Sequence, residues 1–197
     1  EGARYQFWKP DGSEIAFFAD GKMKTIPLAG GPPTIVTDVD ATVAGATWSP
    51  QGTIVFSQAR ELYTVSAKGG TPALLYSGPG VSGPKFLPDG QHFLYQDSGV
   101  LFIGALDGSP PVKVLENVGD AQYADGHLLY RKQGRLFARA FDAATLTPAG
   151  DEIPITSENL VGQTHRSPTN RFNPYLRPGG LRDFLDGGLR AFGCANT

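Results

Sequence analysis

One cysteine, Cys194, stands among 197 residues, so no disulfide closes within the chain and its stability must come from packing in any redox compartment. No run of 18 apolar residues occurs, which excludes a membrane-spanning helix. No apolar leader precedes Glu1 in the chain as given, so the sequence reads as soluble, and a leader removed upstream is equally compatible. Charged residues make up only 18% and net to −2, without the basic excess that a phosphate backbone demands, so nucleic acid is not an expected partner. Neither the nucleophile elbow G-x-S-x-G nor the zinc motif H-E-x-x-H is present. What the chain has instead is 26 glycines, 16 prolines and 40% hydrophobic residues, a composition suited to many short strands joined by tight turns.

Those residues recur with a period. An aromatic residue followed by Pro and Asp-Gly, or a near copy, stands at Trp8, Trp48, Phe86 and Tyr123, at intervals of 40, 38 and 37 residues. The first copy reads Phe7-Trp8-Lys9-Pro10-Asp11-Gly12, then Glu14 to Phe18, Asp20-Gly21, Met23 to Ile26, Gly30-Gly31 and Thr34 to Val36. The second offers Trp48-Ser49-Pro50-Gln51-Gly52, Thr53 to Ser57, Leu62 to Val65 and Ala73 to Tyr76. The third offers Phe86 to Gly90, His92 to Gln96, Leu101 to Ala105 and Val112 to Leu115, and the fourth Tyr123 to Gly126, Leu128 to Arg131, Leu136 to Phe141 and Ile153 to Ile155. Each copy predicts four short strands, because Asp-Gly and Gly-Gly between apolar runs supply the positive φ of tight hairpin turns.

Strands two and three of each copy are apolar on both faces, as Ile15-Ala16-Phe17-Phe18 shows, so both faces must be covered. Sheets stacked around an axis achieve this, and the period is that of a β-propeller blade. The expected fold is all-β, a small propeller of four-stranded antiparallel blades over residues 2–38, 42–78, 81–117 and 119–156. A worn fifth copy over 172–193 begins at Leu176-Arg177-Pro178-Gly179-Gly180, after an insertion over 157–171, and the length predicts five blades. A four-bladed remnant with a tail, or a fragment of a longer propeller, is the rival reading.

The Trp-Ser-Pro-Asp-Gly frame, the Ile-Ala-Phe-like run and the Gly-Gly before the last strand resemble the PD40 or TolB-like WD40 β-propeller repeat over about residues 5–156. The wording of Ile15 to Lys22 and of Phe86 to Tyr95 is similar to propellers attached to bacterial serine/threonine protein kinases. The resemblance implies an extracytoplasmic sensing or interaction platform whose repeat residues are structural. It implies no chemistry.

Strand order puts the connections between blades, and the turns between strands two and three, on one face. That face holds Asp20, Asp38, Asp40, Glu61, Asp97 and Asp120, and the insertion with His165 and Arg166, so a protein or small-molecule ligand is expected there. Three residues before each aromatic landmark stand Tyr5, Gly45, Gly83, Asp120 and Asn173, a ring at the tunnel mouth. Its oxygens could bind a ligand or Ca²⁺, with Asp120 and Asn173 as ligands and Gln6 and Gln122 adding carbonyls if the register slips by one. Asp and Asn also cap turns, which is the structural alternative. Gly78-Pro79-Gly80-Val81-Ser82-Gly83 matches G-x-G-x-x-G but joins strand to strand, so it is read as a blade connection.

His92 and His127 occupy matching repeat positions after Asp-Gly, whereas His165 is non-repeating. Two function classes follow. One is a binding or sensing propeller. The other, by analogy of architecture with six-bladed lactonases, is a Ca²⁺-dependent hydrolase of sugar or acyl-homoserine lactones with His165 as base.

Overall fold

The computed structural model describes residues 2–155. They form sixteen strands in four sheets, each sheet holding four consecutive antiparallel strands in chain order. The first contains β1 (Arg4–Trp8), β2 (Glu14–Ala19), β3 (Lys22–Pro27) and β4 (Thr34–Asp38). The second contains β5 (Ala46–Trp48), β6 (Thr53–Gln58), β7 (Glu61–Ser66) and β8 (Ala73–Ser77). The third contains β9 (Ser82–Phe86), β10 (His92–Asp97), β11 (Val100–Ala105) and β12 (Val112–Glu116). The fourth contains β13 (Ala121–Ala124), β14 (His127–Lys132), β15 (Arg135–Asp142) and β16 (Thr147–Pro154). Strand β16 is longer than the Ile153 to Ile155 segment that apolar patterning singles out, because pairing with β15 recruits the polar run from Thr147. The expected fifth copy lies outside the described residues.

The turns between second and third strands share one geometry. Asp20-Gly21, Ser98-Gly99 and Gln133-Gly134 have φ of 54° and 70°, 51° and 83°, and 50° and 76°. Both central residues are left-handed, as a two-residue primed turn requires to match the strand twist. Ala59-Arg60 adopts the same turn at 52° and 66° without a glycine, so here the register of the sheet overrides local preference.

Alternation along the strands divides each sheet between two neighbours. Phe18, Met23 and Val36 meet Trp48, Ile54, Phe56 and Val65 between the first and second sheets. Val55 and Leu62 meet Phe93 and Tyr95 between the second and third. Leu94, Leu101 and Ile103 meet Leu128, Tyr130 and Phe141 between the third and fourth. An aromatic pair sits directly opposite in register on the leading face of three sheets: Phe56 with Tyr63, Tyr95 with Phe102, and Tyr130 with Phe137, stacked at 5.7, 5.5 and 6.1 Å between centroids. Phe17 opposite Lys24 takes that place in the first sheet. Burial in this packing pushes the Tyr95 phenol up to about 12.

Candidate functional site

The six carboxylates of the inter-blade face each have a partner within the described residues. Asp20 pairs with Lys24 at 2.7 Å, which holds its carboxyl below the ordinary value, and Asp38 pairs with Lys22. Asp40 Oδ1 accepts the Thr42 amide at 2.7 Å, and Glu61 accepts the Tyr63 hydroxyl, a bond that raises the phenol. Asp97 Oδ1 accepts the Gly80 amide at 2.8 Å and the Ser98 hydroxyl at 3.0 Å. Asp120 Oδ1 takes Lys85 Nζ at 2.9 Å, and the same ammonium donates to the Ala121 carbonyl at 2.9 Å. These are the turn-capping and pairing roles that short acidic side chains commonly fill.

Of the two ligands expected for a Ca²⁺ ion, Asp120 is among the described residues and Asn173 is not. Asp120 is paired with the Lys85 ammonium, and among the described residues no group of three or more His, Cys, Asp or Glu side chains is placed to hold a metal. The other residues named for that role or for catalysis, Asn173, His165 and Arg166, lie outside the described residues. Tyr5 does not line the groove that Asp120 lines: it has φ of 52° at an irregularity in β1, and its ring packs edge-on against Phe18 at 6.5 Å. Gln6 is exposed, and Gln122 is buried in β13 of the fourth sheet.

Two ring positions do come together. Gly83 and Asp120 line an open groove of about 450 Å³ with Gly80, Ser82, Gln96, Ser98 and Gly99. These residues come from the β8–β9 connection, the start of β9, the end of β10, the β10–β11 turn and the entry into the fourth sheet. The connection is glycine-rich for a steric reason. A Cβ on Gly78 would lie 2.3 Å from Asp97 Oδ2, and one on Gly80 would lie 2.8 Å from both the amide nitrogen and the hydroxyl of Ser98. The carboxylate is thus tucked beneath the loop and ties it to the neighbouring β10–β11 turn. The Gln96 amide donates to the Gly119 carbonyl at the entry into the fourth sheet.

Sequence reasoning did not find Ser82, Gln96, Ser98 or Lys85. The one available signal was the run Gly78 to Gly83, whose small residues mark close backbone approach rather than a phosphate loop. Electrically the groove is balanced, because Lys85 offsets Asp120 and the remaining lining groups are hydroxyl, amide and bare backbone.

Consecutive four-stranded antiparallel sheets packed face to face in chain order define a β-propeller architecture. Comparison with solved structures agrees. An auxiliary nutrient binding protein from Bacteroides thetaiotaomicron superposes with a TM-score of 0.64 at 10% identity, over 80% of this chain and 42% of its own. A protein assigned as TolB from Agrobacterium tumefaciens gives 0.65 at 19% identity, over 80% and 63%. TolB from Acinetobacter baumannii gives 0.63 at 15%, over 79% and 44%. The chain therefore spans less than two thirds of each of these proteins, and the likeness is one of fold. No protein-family profile and no curated protein matches the sequence. Among the described residues no helix is long and apolar enough to cross a membrane.

Proposed function

We propose that this chain is a binding module of the propeller type whose inter-blade face takes an uncharged polar ligand in the groove between the third and fourth blades. The observation that carries the reading is the groove itself: apart from the Asp120 carboxylate, which Lys85 neutralises, its lining is hydroxyl, amide and glycine backbone and presents donors and acceptors without net charge. Molecules that satisfy such a lining carry hydroxyl or amide groups in number, as neutral saccharides and short uncharged peptides do. Nutrient binding proteins and TolB among the structural neighbours support a binding role and an extracytoplasmic setting. The likeness to kinase-attached propellers fits the same role as a sensing platform.

Calorimetry of the full chain against neutral saccharides, uncharged tripeptides and their charged counterparts tests this reading. A neutral member of the panel should bind with a Kd below about 1 mM, and its affinity should barely change with ionic strength. Ser82→Trp should abolish that binding, because Ser82 lines the groove and lies outside the left-handed region that constrains Gly83. Binding confined to charged ligands, or unaltered by the substitution, would refute the proposal.

A further inference from the structure

Four polar side chains line the groove between the third and fourth blades: Ser82, Gln96, Ser98 and Asp120. Three of them are held by bonds within the protein, and those bonds decide what each has left for a ligand. The Ser98 hydroxyl gives its one proton to Asp97 Oδ1 at 3.0 Å, so its Oγ is left to accept. The Gln96 amide turns its nitrogen to the Gly119 carbonyl, because only the NH₂ end can donate there, and Oε1 is left without a partner among the described residues. Asp120, as a carboxylate, has no proton to give. Its Oδ1 takes Lys85 Nζ at 2.9 Å, and its Oδ2 has no partner among the described residues.

The side-chain balance is therefore uneven. Three oxygens, Ser98 Oγ, Gln96 Oε1 and Asp120 Oδ2, wait for donors, while the side-chain protons still open are those of the Ser82 hydroxyl and the second N–H of the Gln96 amide. The β8–β9 loop has spent a donor as well, since the Gly80 N–H goes to Asp97 Oδ1 at 2.8 Å. The strongest of the waiting acceptors is the carboxylate oxygen, because a hydrogen bond to an ionised group is roughly twice as strong as one between neutral groups.

Charge and chemistry then narrow the ligand. Lys85 is not among the lining residues; it reaches Asp120 Oδ1 and the Ala121 carbonyl, both at 2.9 Å, and so cancels the charge of the carboxylate without filling the groove. A cation would meet a carboxylate already matched, and an anion would face three acceptor oxygens. A hydroxyl answers the lining best: it donates to a waiting oxygen and from the same atom accepts the Ser82 or Gln96 proton. A peptide splits those two roles between N–H and C=O groups that point in opposed directions.

We propose, on the binding reading given above, that the groove selects a neutral saccharide through the protons of its free hydroxyls, which are donated to Asp120 Oδ2, Ser98 Oγ and Gln96 Oε1. Recognition is thus by what the ligand donates, and an analogue that keeps its shape and polarity but lacks the proton at one of these places is rejected, because a buried acceptor is then left unmatched.

Calorimetry of the full chain with the methyl glycosides of glucose, galactose and mannose, their monodeoxyfluoro derivatives and uncharged tripeptides tests this. Fluorine keeps nearly the size and polarity of a hydroxyl and has no proton to donate. For the methyl glycoside that binds best, fluorination of at least one hydroxyl should weaken binding by at least about 10-fold. In Asp120→Asn, Lys85 claims the one remaining side-chain oxygen and turns the amide nitrogen to the groove, so the penalty at one fluorinated position should fall below about 3-fold. If Asp120→Asn does not melt as one cooperative transition, Ser98→Ala gives the same reading at the second acceptor, with a different fluorinated position losing its penalty. Fluoro derivatives that all bind like the parent, penalties unchanged in the variants, or a tripeptide bound more tightly than every glycoside would each overturn the proposal while leaving a binding groove in place. Absence of binding by every parent glycoside and every tripeptide would remove the binding reading itself, and this proposal with it, before any fluoro derivative is used.

Discussion

The loop that walls the groove owes its position to one carboxylate, and a double-mutant cycle between Gly78 and Asp97 measures that dependence. In the wild-type background Gly78→Ala places a methyl 2.3 Å from Asp97 Oδ2, 2.9 Å from Val81 Cγ2 and 3.1 Å from Asp97 Cγ. Overpacking of this kind costs about 1–3 kcal/mol, and the upper half of that range applies because the carboxylate is pinned by the Gly80 amide and the Ser98 hydroxyl. Asp97→Ala removes both bonds at a half-buried site, a loss of about 2 kcal/mol. In the double variant the methyl enters the space that the carboxylate vacated, and only the Val81 contact remains. The double variant should therefore be more stable than additivity allows by about 1–2 kcal/mol, the range seen for groups in direct contact. Urea unfolding followed by tryptophan fluorescence reads each corner of the cycle, Trp8 and Trp48 being the two reporters. A coupling within about 0.5 kcal/mol of zero, the additive limit, would mean that the loop does not rest on Asp97.

Further consequences concern the sheets. Tyr130→Phe deletes the hydroxyl that donates to Glu152 Oε2 at 2.9 Å and should lower stability at pH 7 by about 1 kcal/mol. Lys132 and that hydroxyl hold the Glu152 carboxyl below its ordinary value, so their contribution is complete above the unfolded carboxyl pKa and is lost as pH falls through the folded one. The gap between variant and wild type in thermal melts should accordingly narrow below about pH 4, and a gap that stays constant down to pH 2.5 would refute the assignment. Arg60→Gly relieves a non-glycine residue with φ of 66° and should raise stability by up to about 1 kcal/mol in urea. A destabilised Arg60→Gly protein would show that the side chain contributes more than its strained backbone costs.

Much of the scaffold was legible from local spacing. The landmarks Trp48 and Phe86 occur where backbone turns recur, and turn chemistry acts over a few residues, so four strands per copy follow from the order of apolar runs and glycine pairs. Asp20-Gly21 announces its turn in the same way. Ala59-Arg60 does not, because its geometry is imposed by the pairing of β6 with β7 rather than by its own preferences. The acidic face was legible as a location but not as chemistry. Asp97 reaches a loop 17 residues upstream, and Lys85 reaches Asp120 across 35 residues, so neither partnership is visible before the blades are stacked.

By itself the sequence determined a tandem array of four-stranded sheets with two covered faces each, since strand period and turn geometry are properties of short segments. Only the tertiary structure decided which carboxylates are spent on caps and cations, where small residues open a groove, and which side-chain protons are left there for a ligand. Those outcomes depend on which side chains the packing of one blade against the next brings within hydrogen-bond reach, a distance that no spacing along the chain encodes.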